Sequence, residues 1–259
     1  MTDPPIDLGF DGHVHTALCR HAMGTMEEYV LAGIRRNLHT ICFLEHLETN
    51  ILGYDRIWLT DREFDLYRDE GERLKARYKD AINIRLGVEA GFNPECPETI
   101  RRRLGQYDWD RIGISYHFLK IGERHYNLVS RSKECLAAFT SYGVEHTIHA
   151  YLDGVLQAIT HLPGDLLCHL DAVLRHHRQV TFTADHEKKI ETILQTLKIK
   201  KMALEVNASG FPVRGEPFPG RALLKKAIAA GVRLEAGSDS HHPDSVGNFL
   251  ELASWLKTI

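Results

Sequence analysis

Seven short runs of strand-forming residues alternate with helical patterns along this chain, and nearly every run ends in a histidine or a carboxylate. The runs are Leu8 to His13, Thr40 to Leu44, Asn83 to Glu89, Arg111 to His117, Leu166 to His169, Ala203 to Asn207 and Arg233 to Gly237. Strand followed by helix, repeated, predicts parallel strands with right-handed crossovers, and so either an open doubly wound sheet or a closed barrel. An open sheet draws ligands to one switch-point crevice, whereas a barrel gathers chemistry on the loops leaving the carboxyl ends of many strands. Six of the seven runs offer a ligand-type side chain at that end, which favours closure.

The rest of the pattern fits one domain spanning 1–259, since 259 residues with 43% hydrophobic content can fill a single large core. Thr25-Met26-Glu27-Glu28 is a capping box, in which the threonine hydroxyl takes an orphan backbone N–H and Glu28 reaches back. A helix should follow to about Arg36, with Met26, Tyr29, Val30 and Ile34 facing the core. Further helices are predicted over about Asp61 to Tyr78, Glu98 to Leu104, Val144 to Ile159, Asp185 to Leu197, Arg221 to Ala230 and Val246 to Lys257. The polar stretch from Lys120 to Ser130 has no strong period and reads as a loop over one face.

A net charge of -3 gives no global attraction to nucleic-acid phosphates or anionic membranes. Apolar stretches such as Leu152 to Ile159 are too short to cross a bilayer, and Met1 to Pro5 lacks a basic region followed by an apolar one. A cytoplasmic protein is expected. The five cysteines are odd in number and irregularly spaced, which argues for reduced thiols rather than a disulfide framework. Cys42 and Cys168 sit in apolar runs as small buried hydrophobes, and Cys19 reads as a neighbour of the histidines rather than a ligand.

His13 and His15 are two apart on a strand and therefore share a face, with Asp11 on that face placed to orient a ligand imidazole. Glu45-His46 directly follows an apolar run, where an unpartnered charge costs several kcal/mol, and Glu89 meets the same argument. His117, His169, and Asp239 with His241 repeat the theme, while His21 lies in the loop after the first run. Each residue alone has an ordinary structural explanation. Nine of them at matching positions point to a multinuclear metal site, because imidazole and carboxylate are the ligands of borderline and harder divalent ions.

Taken in order, Asp11-Gly12-His13-Val14-His15, Cys19-Arg20-His21-Ala22-Met23-Gly24, Phe43-Leu44-Glu45-His46, Ser115-Tyr116-His117-Phe118, His169-Leu170-Asp171, Glu205-Val206-Asn207-Ala208-Ser209-Gly210 and Gly237-Ser238-Asp239-Ser240-His241 resemble the PHP (polymerase and histidinol phosphatase) superfamily of metal-dependent phosphoesterases. The likeness is greatest to its histidinol-phosphatases. It implies a distorted (β/α)7 TIM-like barrel holding up to three divalent ions drawn from zinc, manganese and iron. By that resemblance His13, His15, Glu89 and Asp239 hold one ion, Glu89 bridges to a second bound by His117 and His169, and His21, His46 and His241 hold a third. The implied reaction is hydrolysis of histidinol phosphate by in-line attack of a metal-bridging hydroxide, with Glu89, His117 and Asp239 central to it. Arg175 and Arg214 are candidates to clamp the phosphate, since a guanidinium matches two of its oxygens. Asp171 is a candidate to protonate the leaving alkoxide, although orienting His169 is the preferred role, and Glu45 is another orienting candidate. Glu205 reads as structural.

Two rivals differ in kind. A PHP phosphoesterase for nucleotides, other small phosphate esters or nucleic-acid ends keeps the site and changes the substrate, and its nucleic-acid form predicts a basic, aromatic-lined track that the sequence does not display. A metal-binding protein without turnover is the other, and the complete ligand set weighs against it.

Overall fold

The computed structural model describes residues 6–177 and 179–259, so the N-terminal stretch Met1 to Pro5 lies outside the described residues. Nine strands are described: β1 (Phe10–Val14), β2 (Thr40–Leu47), β3 (Asn83–Gly91), β4 (Arg111–Ser115), β5 (Phe118–Ile121), β6 (Arg124–Asn127), β7 (Leu166–Leu167), β8 (Ala203–Asn207) and β9 (Leu234–Gly237). Seven of them form one sheet in the order β1-β2-β3-β4-β7-β8-β9 with every pairing parallel. The sheet closes where Val14 bridges Ser240 in parallel, supported by His15 N–H to Ser240 O at 3.0 Å and Asp239 N–H to His13 O at 2.8 Å. A two-residue β7 and this thin seam make the barrel a distorted TIM-like one, an α/β fold as the sequence led us to expect.

The helices described alongside are α1 (Met26–Arg35), α2 (Asp61–Tyr78), α3 (Pro97–Leu104), α4 (Lys133–Tyr142), α5 (Val144–His161), α6 (Ala184–Lys200), α7 (Phe211–Arg214), α8 (Arg221–Ala230) and α9 (Leu250–Leu256). The capping box of α1 is formed as the sequence predicts, with Glu28 Oε2 accepting from Thr25 N–H at 2.6 Å. Met26, Tyr29 and Val30 are buried, and Ile34 is half-buried at the edge of the same core. None of the described helices is long and apolar enough to cross a membrane.

Three expectations change. The stretch from Lys120 to Ser130 is not simply a loop, because β5 and β6 pair antiparallel around Gly122-Glu123, and Gly122 takes φ +62 as the first position of a two-residue hairpin turn of this kind requires. α4 was not anticipated; its start is capped by the Ser132 hydroxyl, which accepts from Cys135 N–H at 3.2 Å. The last helix begins at Leu250 rather than near Val246, since a 3-10 turn over Pro243–Ser245 and Gly247 at φ +61 delay it.

One apolar layer lies between sheet and helices, and a smaller cluster of Phe10, Cys42, Leu44, Leu166, Cys168 and Ala203 fills the barrel interior. On β2, Cys42, Leu44 and His46 alternate onto the inner face, so the same period that plugs the barrel delivers His46 to its mouth. On β1, Phe10 and His13 both reach the interior despite an odd spacing, which the register irregularity between Asp11 and Val14 permits.

Candidate metal centre

The nine ligand-type side chains meet at the carboxyl-end mouth of the barrel, and their donor atoms fall into three groups. In the first, His13 Nε2, His15 Nε2, Glu89 Oε2 and Asp239 Oδ1 are separated by 3.0 Å between the imidazoles and by 3.3 to 3.9 Å for the carboxylate contacts. In the second, Glu89 Oε1 stands 3.1 Å from His117 Nε2 and 3.0 Å from His169 Nε2, and the two nitrogens are 3.4 Å apart. In the third, His21 Nε2 and His241 Nε2 are 2.8 Å apart, and His46 stands between this group and the first, its ring centre 5.2 Å from that of His21, 6.1 Å from that of His241 and 4.2 Å from that of His15.

These spacings fit divalent ions. A tetrahedral ion with bonds of about 2 Å places its ligand atoms about 3.3 Å apart, near the separations of the first two groups. His46 Nε2 is buried with no hydrogen-bond partner among the described residues, the condition of a donor atom reserved for a cation, while its Nδ1 stands 2.8 Å from Glu89 Oε2.

The supporting residues hold imidazoles from behind. His13 Nδ1 is 2.7 Å from Glu205 Oε1, and His117 Nδ1 is 2.8 Å from Glu48 Oε1, so in both rings Nε2 is left to face the centre. Glu205 Oε2 also accepts from His169 N–H at 2.9 Å and from Asn207 Nδ2 at 3.0 Å. Asp239 Oδ2 accepts from Asn207 Nδ2 at 3.3 Å and from the Ser209 hydroxyl at 3.2 Å, which leaves Oδ1 for the first group. Close approach is built into Gly237 and Gly91: a Cβ at Gly237 would lie 2.2 Å from Glu205 Oε1, and one at Gly91 would lie 2.0 Å from Glu48 Oε1.

Two ligands take strained backbone. His169 has φ 26 and Asp239 has φ 53, in the left-handed region that costs non-glycine residues about 1 to 3 kcal/mol. The Glu205 bond to His169 N–H and the His13 bond to Asp239 N–H hold them there.

The electrostatics suit a cation. Burial works against the charge on Glu89, yet His117, His46 and His13 around it outweigh burial and hold its carboxyl well below the usual range. Asp239 is likewise held low against burial, by His13 and His15 among others. Burial and neighbouring imidazoles push His15 well down and His46 to about 4, so both rest in the neutral form that binds metals. Glu45 is pushed up to about 8 by burial, and its Oε1 accepts from Thr16 N–H at 2.8 Å rather than from a ligand imidazole. Asp11 differs from its expected role too: its carboxylate accepts the N–H groups of Ser238 at 2.9 Å and Gly247 at 2.7 Å, and so anchors the chain after β9 instead of an imidazole ring.

A cavity of about 510 Å³ opens over this centre. Besides the ligands, its lining includes the apolar side chains of Ile57, Phe118 and Val129 and the polar ones of Asn127, Arg131, Arg175 and Ser209. Arg175 Nη1 reaches Ser209 Oγ at 3.4 Å. Arg214 does not line the cavity; its Nη1 donates to the carbonyls of Leu174 at 2.9 Å and His177 at 3.2 Å and so braces the segment that carries Arg175. Asp171 also stands behind the wall, with Oδ2 accepting from Gly220 N–H at 2.9 Å and burial pushing its carboxyl up to about 7. Sequence reasoning missed Glu48 and Arg131. Glu48 had a usable signal, since it follows His46 by two residues and so falls on the same face if the strand is extended.

The PHP domain profile matches residues 11–209. The chain belongs to the PHP family. Among curated PHP relatives, a protein of Deinococcus radiodurans named "Probable histidinol-phosphatase" is 29% identical over 92% of this chain and 88% of its own length. The histidinol-phosphatase of Bacillus subtilis is 25% identical over 92% of this chain and 95% of its own length. The crystal structure of histidinol phosphate phosphatase from Lactococcus lactis subsp. lactis, complexed with zinc, L-histidinol and phosphate, superposes with a TM-score of 0.78 at 23% identity, covering 96% of this chain and 92% of that one, a likeness of fold.

Proposed function

We propose that this chain is a metal-dependent phosphoric monoester hydrolase that converts histidinol phosphate to histidinol and phosphate, working as one catalytic domain in the cytoplasm. The observation that carries the reading is Glu89, whose Oε1 faces His117 and His169 at 3.1 and 3.0 Å and whose Oε2 faces His13, His15 and His46 at 3.5, 3.8 and 2.8 Å, the placement of a carboxylate able to bridge two ions. The histidinol-phosphatases that match nearly the whole chain name the substrate class.

Up to three ions, drawn from zinc, manganese and iron, would be held by His13, His15, Glu89 and Asp239, by Glu89, His117 and His169, and by His21, His46 and His241. Bound there, they would supply activated water and neutralise phosphoryl oxygens. The residues of the chain do the rest. Arg175, from the cavity wall, pairs with phosphate oxygens, and Arg131, which also lines the cavity, offers a second guanidinium. Arg214 positions Arg175 through the Leu174 and His177 carbonyls. Asn127, whose Oδ1 accepts from Val129 N–H at 2.9 Å, also lines the cavity, and Ile57 and Phe118 offer apolar surface for the carbon part of the alcohol. Asp171 takes neither expected role: it is not in the cavity lining, its Oδ2 holds Gly220 N–H, and the His169 Nδ1 it was expected to orient has no hydrogen-bond partner among the described residues.

The test is a panel of histidinol phosphate, nucleotides and sugar phosphates with the metal-reconstituted protein. We expect kcat/KM for histidinol phosphate to exceed the others by at least about a hundredfold, the discrimination that buried polar recognition affords. A flat panel, or a nucleotide preferred, would refute the substrate assignment.

A further inference from the structure

We propose that the three donor groups hold their ions with unequal strength, and that the outer group of His21, His46 and His241 exchanges its ion while the inner two stay loaded. The inference rests on the multinuclear reading above and concerns regulation of that same centre.

Charge supplies the first reason. The first group contains the carboxylates of Glu89 and Asp239, and the second shares Glu89, whereas the outer group has no carboxylate of its own: the oxygens nearest its rings, Glu89 Oε2 at 2.8 Å from His46 Nδ1 and Asp239 Oδ1 at 3.7 Å from His241 Nδ1, already belong to the first group. A divalent ion held by neutral imidazoles alone keeps its full charge in a partly buried place, while a carboxylate neutralises part of it at close range.

The residues behind the rings supply the second. In the inner groups, Glu205 and Glu48 stand 2.7 and 2.8 Å from the Nδ1 atoms of His13 and His117, and an anionic acceptor there raises the basicity of the opposite nitrogen. In the outer group only His46 has such an anion behind it, Glu89 Oε2 at 2.8 Å from its Nδ1; His21 and His241 have neutral backbone carbonyls, Cys19 O at 2.8 Å and Asp239 O at 2.9 Å from their Nδ1 atoms.

Access supplies the third. His13, His15 and Glu89 are fully buried, whereas His21 is exposed and the His241 side chain is 30% exposed, so water can compete for the outer ion and carry it away. His21 also sits in a loop rather than on a strand, so it can turn aside without disturbing the barrel. Because all three outer imidazoles line the substrate cavity, the level of free metal would set how much positive charge faces the phosphate.

The experiment reconstitutes the full chain with zinc, dialyses it against rising concentrations of a zinc chelator and counts ions per chain by mass spectrometry, with circular dichroism recorded in parallel. One ion should leave at chelator concentrations at least about tenfold below those that remove the rest, with the dichroism unchanged. His241→Ala should abolish the early step and keep the late one, and Glu48→Gln should shift the late step to lower chelator without moving the early one. Loss of all ions in a single step, or His241→Ala removing the late step, would overturn the proposal while leaving the multinuclear reading intact. A chain that binds no zinc at any concentration would sink both.

Discussion

Glu205 Oε1 lies 2.7 Å from His13 Nδ1, with both side chains fully buried, so the tautomer and aim of His13 are fixed by a residue that belongs to none of the three donor groups. The same carboxylate also holds the strained His169 backbone through its N–H. Glu205→Gln should therefore lower metal affinity by about 10- to 100-fold, the usual loss when a ligand histidine loses its anionic partner. Isothermal titration with zinc measures it, and an unchanged affinity would make Glu205 a packing residue only.

His117 belongs to the second donor group and sits just past β4, where its ring faces the mouth rather than the apolar layers. His117→Ala should bring phosphatase turnover below detection while the circular dichroism spectrum stays native. Retained turnover would mean that the second group is not part of the reaction.

The two arginines should separate kinetically. Arg175→Ala should raise KM for the phosphate ester about tenfold or more with little effect on stability, because its guanidinium faces the cavity. Arg214→Ala should act on stability first, lowering the melting temperature by about 2 to 4 °C for each kcal/mol lost with its two carbonyl contacts. The opposite pattern would restore Arg214 as the direct phosphate ligand.

Glu63 caps α2 and pairs with Arg56; the hydrogen bond from Arg56 first, with those from Thr60, holds its carboxyl down to about 2 from an ordinary 4.5. A depressed carboxyl contributes stability above its unfolded value and loses it as pH falls through its folded value. The gap in urea midpoint between wild type and Glu63→Gln should thus be full at pH 7 and close progressively between about pH 5 and pH 2. A gap that stays constant across that range would place the effect in packing rather than in charge. The pair is partly exposed, so the gap should also shrink in high salt.

Much of this was readable from the residues. The strand ends could be found because an apolar run interrupted by His13, His46, Glu89, His117 or His169 is physically conspicuous, and the barrel brings those positions to one mouth. What escaped were features whose meaning depends on contacts distant in sequence. Glu48 matters only because His117, 69 residues on, turns its ring toward it, and Asn207 only because Asp239 comes within reach across the β8–β9 seam. The β5–β6 hairpin escaped because its short strands are polar on one side and the Gly122 turn is its single strong local sign. Asp11 looked like an orienting partner by strand parity, yet the irregularity in β1 redirects it to the N–H groups of Ser238 and Gly247.

The most direct measurement is a crystal structure of the zinc-loaded protein with anomalous data collected at the zinc edge. Two peaks should flank Glu89, one within about 2.2 Å of Oε2 beside His13, His15 and Asp239, the other within about 2.2 Å of Oε1 beside His117 and His169. A single peak, or none touching Glu89, would contradict a bridged metal centre at the mouth of this barrel.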